Sequence, residues 1–231
     1  MNIQSSLAGV LVFTLCLFPA LTSFGIEPDF APDDPRHCLT RVASALETAD
    51  SAAFAQAVDV DTILAQVLDF MAAEAARPDG TSQLPPILAL LFSRAAGDGV
   101  DAASVRALLM GAARAFVLDG VGSGAFAGRE ADPSHTSTGG LFSPLFADAS
   151  LGRKEICLVG EARLVPANLP NANTVSGDWL VPFSVHDAGN GETYPVLGRI
   201  RREGTDFRLV GVENLPELYS LIRSEIEQQG L

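Results

Sequence analysis

The chain has 231 residues, with 15 Lys and Arg against 28 Asp and Glu, a formal net charge of −13 and a pI near 4.5. So acidic a surface repels phosphates and anionic headgroups, which argues against nucleic-acid partners and against binding to a membrane surface. Hydrophobic residues make up 48% of the sequence, enough for a sizeable core in one domain.

From Met1 to Gly25 there is no Asp, Glu, Lys, Arg or His, and Leu7 to Leu21 is almost wholly apolar. That run has the length of a signal-peptide core and is shorter than the roughly 20 residues a spanning helix needs. Ser23 and Gly25 suit a cut before Ile26, and Ala20 with Thr22 offer a second position. Residues 1 to 25 therefore read as a signal peptide that directs the chain to the periplasm or cell envelope. The n-region lacks Lys and Arg, so an uncleaved anchor is the alternative. Cys16 lies inside the apolar run after Phe13-Thr14-Leu15, which does not fit a lipoprotein site. Removal of this segment leaves Cys38 and Cys157 as a candidate disulfide in an oxidising compartment, with two free thiols as the alternative.

Residues 26 to 34, rich in proline and acid, predict an extended linker. Residues 35 to 119 predict a helical region. Asp34 with Pro35 marks a first helix carrying Leu39, Val42, Ala43 and Leu46 on one face. Asp50 caps a short second helix, Ser51 to Ala57. Asp59 caps a third, with Asp61 in its first turn and Val58 stapled to Ile63. That helix stops at Arg77-Pro-Asp-Gly80. Residues 84 to 96 predict an apolar helix buried on most sides, and Asp101 is read as the cap of a fifth that carries Val105, Leu108, Leu109, Ala112 and Phe116. Glycine, serine and proline dominate residues 120 to 153, the pattern of a long loop.

The period then changes to that of strands. Segments 154–166, 178–187, 192–203 and 206–213 read as a four-stranded antiparallel sheet, with a hairpin loop at Asp187 to Gly191 and a turn at Glu203-Gly204-Thr205. Trp179, Val181, Phe183 and Val185 share a face, and Pro216 opens a C-terminal helix. Helices followed by an antiparallel meander give an α+β fold, with residues 35 to 231 as one domain.

Three stretches carry a resemblance. They are Ala45 to Phe54 leading into Val58-Asp-Val-Asp-Thr-Ile-Leu64, Val105 to Phe126 with its glycine-rich turn and Phe, and Phe207 to Pro216 with its Asn-Leu. The chain resembles a family of uncharacterised bacterial and archaeal proteins classed as a domain of unknown function. That resemblance implies helices before a curved antiparallel sheet, cystatin-like or like nuclear transport factor two. It supplies no activity and no catalytic residue.

Asp59 and Asp61 lack the further oxygen ligands and the glycine of a calcium loop, so helix capping accounts for them. His37 and Cys38 are adjacent on a helix and point apart. His135 lies in a polar loop. His186, Asp187 and Ser184 end a strand without a nucleophile elbow. Gly120-Val-Gly-Ser-Gly124 follows a helix, whereas a phosphate loop follows a strand, so it reads as a helix end. Arg199, Arg201 and Arg202 fit surface ion pairs. These readings leave no catalytic residue, metal site or cofactor to name. Three functions stay open: a non-enzymatic envelope protein that binds another protein or has an accessory role, a binder of a small apolar ligand in a pocket lined by Trp179, Phe183, Tyr194 and Phe207, and an enzyme with an unrecognised site.

Overall fold

The structure, a computed structural model, describes residues 30–77, 86–129, 154–166, 177–188 and 191–229. The segment read as a signal peptide, the start of the expected linker, Pro78 to Gly80, residues 130 to 153 with His135, and the middle of the Asp187–Gly191 loop lie outside the described residues. Among the described residues five helices come first: α1 (His37–Glu47), α2 (Ser51–Ala57), α3 (Val60–Ala75), α4 (Pro86–Ala95) and α5 (Val100–Gly122). A 3-10 turn, Ala125–Ala127, follows, then β1 (Lys154–Leu158), β2 (Arg163–Pro166), β3 (Gly177–Asp187), β4 (Glu192–Glu203), β5 (Asp206–Val212) and a last helix α6 (Leu215–Gln229). The α+β expectation holds, with helices on both sides of an open antiparallel sheet in sequence.

The sheet has five strands, one more than expected. Its order is β1-β3-β4-β5, and β2 shares the free side of β3 with β1. The segment read as one strand breaks at Pro182 of β3. The Val159 N–H donates to the Pro182 carbonyl at 3.4 Å, but proline has no N–H to return to Val159, so the ladder fails there and resumes at Arg163↔Leu180. Gly160 fits against this kink, where an added Cβ would lie 2.8 Å from the Pro182 ring.

Alternation sorts the sheet into two faces. Val181, Phe183 and Val185 of β3 pair with Gly198, Val196 and Tyr194 of β4, and this face is buried under the helices. At Gly198 a Cβ would come within 2.9 Å of both Leu209 and Phe183, so glycine is what lets those two side chains meet. The opposite face carries Asp178, Ser184, His186, Arg199 and Arg201. A β-bulge between Arg199 and Ile200 puts Val210 out of register and into the core.

The helical layer is tied to β5 by polar contacts as well as by packing. Val58 forms a parallel bridge with Leu209, and the Asp59 N–H donates to the Leu209 carbonyl at 2.8 Å. The Gln66 amide donates to the Val212 carbonyl and accepts from the Val212 N–H at 3.0 Å, as a neighbouring strand would. Arg208 reaches the carbonyls of Ala55 and Val58. These contacts satisfy edge groups that would otherwise stand exposed or unpaired.

Helix starts follow the capping logic with two corrections. Asp50 accepts from the N–H groups of Ala52 and Ala53, and Asp59 accepts from Thr62 at 3.1 Å, as expected. The first helix, however, begins at His37 rather than Pro35, because the His37 and Cys38 N–H groups bond the Asp34 and Pro35 carbonyls three residues back and so form a tighter turn ahead of the helix, at whose head the Asp34 carboxylate accepts from the Arg36 N–H at 2.8 Å. Gly99, at a φ of 111°, caps α5 in place of Asp101, which stands in the first turn. Helix α5 also runs on to Gly122, past the expected end near Leu118. Its continuation depends on Gly120, where a Cβ would come within 2.4 Å of the Phe126 ring that packs against it.

Candidate functional site

The four aromatics proposed as a pocket lining do not line one pocket. Phe183, Tyr194 and Phe207 are buried members of the main core, with the Arg202 guanidinium 5.7 Å from the centre of the Phe207 ring. Trp179, opposite Ile200, is half-buried at the margin. It borders a separate cleft of ≈ 400 Å³ together with Asp33, Asp34, Arg36 and Glu161. The period-two pattern puts all four on the helix side of the sheet but is silent on how tightly the helices close over them.

Cys38 and Cys157 are free thiols on opposite sides of the sheet. Cys38 lies beneath the helices with its Sγ 3.4 Å from the Ala57 carbonyl, and burial pushes its pKa up to about 12. Cys157 pairs with Ser184 on the outer face and is exposed. Strand alternation separates them, because the buried neighbour on β1 is Ile156.

The outer face holds the remaining candidates. Asp178 takes a two-pronged contact from Arg201, with both N···O distances 2.9 Å, and a third from Arg199 at 3.4 Å. Arg199 also bonds Glu213 at 2.7 Å. The Arg201 hydrogen bonds hold the Asp178 carboxyl below the usual carboxylate range, while hydrogen bonds to Glu213 and Asp178 raise Arg199 and Arg201 respectively. These cations are thus engaged in surface pairs, as their sequence context suggests. His186 Nδ1 lies 3.0 Å from the Thr193 hydroxyl and sits directly opposite Glu155. Asp59 and Asp61 do not converge: the first caps α3, and the second pairs with Arg114 of α5 at 3.1 Å. Among the described residues no three His, Cys, Asp or Glu side chains group as a metal site.

Two features escaped the sequence reading. The first is a cleft of ≈ 460 Å³ where the end of α3 meets α6, lined by Phe70, Glu74, Arg77, Pro216, Tyr219, Ser220, Arg223 and Ser224. Glu74 is only 7% exposed and pairs with Arg77 at 2.6 Å. Phe70 and Tyr219 meet edge to face with centroids 5.3 Å apart, and burial raises the Tyr219 phenol, which keeps it a protonated donor. Glu74 stands one turn beyond Phe70, and Tyr219 and Arg223 are likewise four apart on α6, so helical spacing stacks both pairs along the cleft. That spacing was visible, but the meeting of two helices so distant in sequence was not.

The second is an apolar surface on α4 and α5. Ile87, Leu90, Val100 and Leu108 are 57%, 52%, 83% and 55% exposed. Helix α4, expected to be buried on most sides, sends only Leu88, Phe92 and Ala95 fully inward. On α5 the outward positions Val100, Ser104, Leu108, Gly111 and Ala115 recur at helical spacing. Arg106 and Arg114 are drawn off this surface toward Asp69 and Asp61 of α3. Among the described residues no helix is long and apolar enough to cross a membrane.

No family model, no curated protein and no solved structure matches this chain.

Proposed function

We propose that the chain is an exported, non-enzymatic protein of the periplasm or cell envelope that works by binding another protein. The observation that supports this most is the apolar surface of α4 and α5. Four of its large hydrophobic side chains are more than half exposed on a chain that carries a net charge of −13. These side chains stand on two helices that pack against each other, and exposed apolar area on adjoining elements is what partner binding removes from water. The charge-free first 25 residues support export, and the likeness of three stretches to an uncharacterised family remains part of the proposal without adding an activity.

A binder of a small apolar ligand is the weaker reading, since Phe183, Tyr194 and Phe207 are spent on the core. The test is isolation of the tagged full chain from fractions of its native host, with Leu90→Glu and Leu108→Glu combined in a second strain. The expected result is a processed chain in the envelope fraction with a partner that the double variant loses. An intact chain recovered from the cytosol would end the export reading, and unchanged partners would end the binding one.

A further inference from the structure

We propose that the cleft beside Trp179 is a binding site for a small organic ammonium ion. This goes beyond the protein-binding role and does not depend on it, because the cleft is built from the turn ahead of α1, the bend ahead of β2 and the start of β3, and not from α4 or α5. Three carboxylates, Asp33, Asp34 and Glu161, line it with one guanidinium, Arg36. Arg36 is spent on Asp34: its Nε lies 3.0 and 3.1 Å from the two Asp34 oxygens, its Nη2 lies 2.6 Å from the second of them, and the guanidinium rests 4.3 Å from the centre of the Phe30 ring. The hydrogen bonds to Asp34, ahead of the weaker pull of Glu161, raise the Arg36 pKa. Asp33 and Glu161 are exposed, and their carboxylates take no hydrogen bond and no ion pair among the described residues. The cleft therefore keeps two carboxylates in excess, and negative charge in a concave site draws a cation.

The construction of the walls selects an organic cation over a metal ion. A metal needs several oxygen ligands converging on one point, and among the described residues no three His, Cys, Asp or Glu side chains do so, Asp33, Asp34 and Glu161 included. Carboxylates spread around a cleft of ≈ 400 Å³ suit a charge that is itself spread over an apolar body, and that volume is within the range of small-molecule sites. Trp179 supplies the matching wall. Indole is the aromatic whose ring attracts cations most strongly, and quaternary ammonium groups are recognised in this way. Pairing with Leu164 and Ile200 places Trp179 at the margin of the core, where it is only partly buried and borders the cleft. Pro35 and Ala162 complete an apolar lining beside it.

Trp179 is the one tryptophan of the chain, so tryptophan fluorescence reports on this cleft alone. Benzyltrimethylammonium is the probe, with benzyl alcohol as a neutral aromatic and potassium ion as a cation without an apolar body. Titration of the purified full chain should give a saturable change in emission with the probe, a much weaker one with benzyl alcohol and none with potassium. Asp33→Asn combined with Glu161→Gln should weaken the probe by about tenfold, the loss of two exposed charge pairs. Both positions are exposed, so the fold survives that change, and an unaltered circular dichroism spectrum verifies it. Arg36→Gln should strengthen binding by about threefold, because the one cation is removed and Asp34 is released to the ligand. A residue that merely holds the turn would not produce that gain. Trp179→Leu, followed by calorimetry, should weaken the probe by about fivefold through loss of the ring. Absence of a saturable change, benzyl alcohol binding as tightly as the probe, an equal response to potassium, or probe affinity indifferent to the double carboxylate variant would each overturn the proposal.

Discussion

At the scale of single residues, local chemistry was legible wherever the partner is near in sequence. Asp50 and Asp59 announce their helices because a cap needs only the next three residues. Asp59→Ala should therefore cost about 1 kcal/mol in urea unfolding, with the sheet and helix content unchanged. Exposure of the cysteines depends on the whole fold, and sequence left the pair open between a bridge and free thiols. With Cys38 buried and its pKa near 12, only Cys157 should react with a thiol reagent in the folded chain cut to residues 26–231, and both should react in denaturant. Failure of either to react until a reductant is added would mean that they are bridged. Two glycines of α5 make a matched pair. Gly111 faces open space and Gly120 faces the Phe126 ring. Gly111→Ala should stabilise by up to about 1 kcal/mol through helix propensity, whereas Gly120→Ala should destabilise by about 1 to 3 kcal/mol through overpacking. Opposite shifts in melting temperature would verify this.

At the scale of elements, the order of helices and strands was readable from periodicity, and the departures have particular causes. The first strand divides because Pro182, on a different strand, cannot complete the ladder. Helix α5 defeats a reading by amphipathicity, since apolar and small residues surround it and Leu108 points out while Leu109 points in. The joint between layers was also hidden, because Gln66 looks like an ordinary surface residue of α3 until β5 is laid beside it. Its amide serves both backbone groups of Val212. Gln66→Leu should cost about 1 to 3 kcal/mol by leaving those groups unpaired, and hydrogen exchange should show faster exchange of the Val212 amide. Retention of full protection there would mean that the side chain is not the partner that matters.

At the scale of the whole molecule, charge sets both behaviour and expected role. Asp178 is held below the ordinary carboxylate range by Arg201, so its share of stability is complete above about pH 4, the unfolded value. That share is lost as pH falls through the lowered folded value, and Asp178→Asn should flatten the acid limb of the stability curve below about pH 4 while removing a constant contribution above it. The candidate sites were the least legible part of the sequence. The α3–α6 cleft joins Glu74 to Tyr219 across most of the chain, and the α4–α5 surface is defined by side chains on which no described residue closes. The central claim is export followed by binding through that surface. Its most direct measurement is mass spectrometry of the tagged chain and its companions, isolated from fractionated native cells in wild-type and Leu90→Glu, Leu108→Glu forms. The account predicts a chain lacking about its first 25 residues, in the envelope fraction, with a companion protein absent from the double variant; an unprocessed cytosolic chain, or the same companions with both forms, would contradict it.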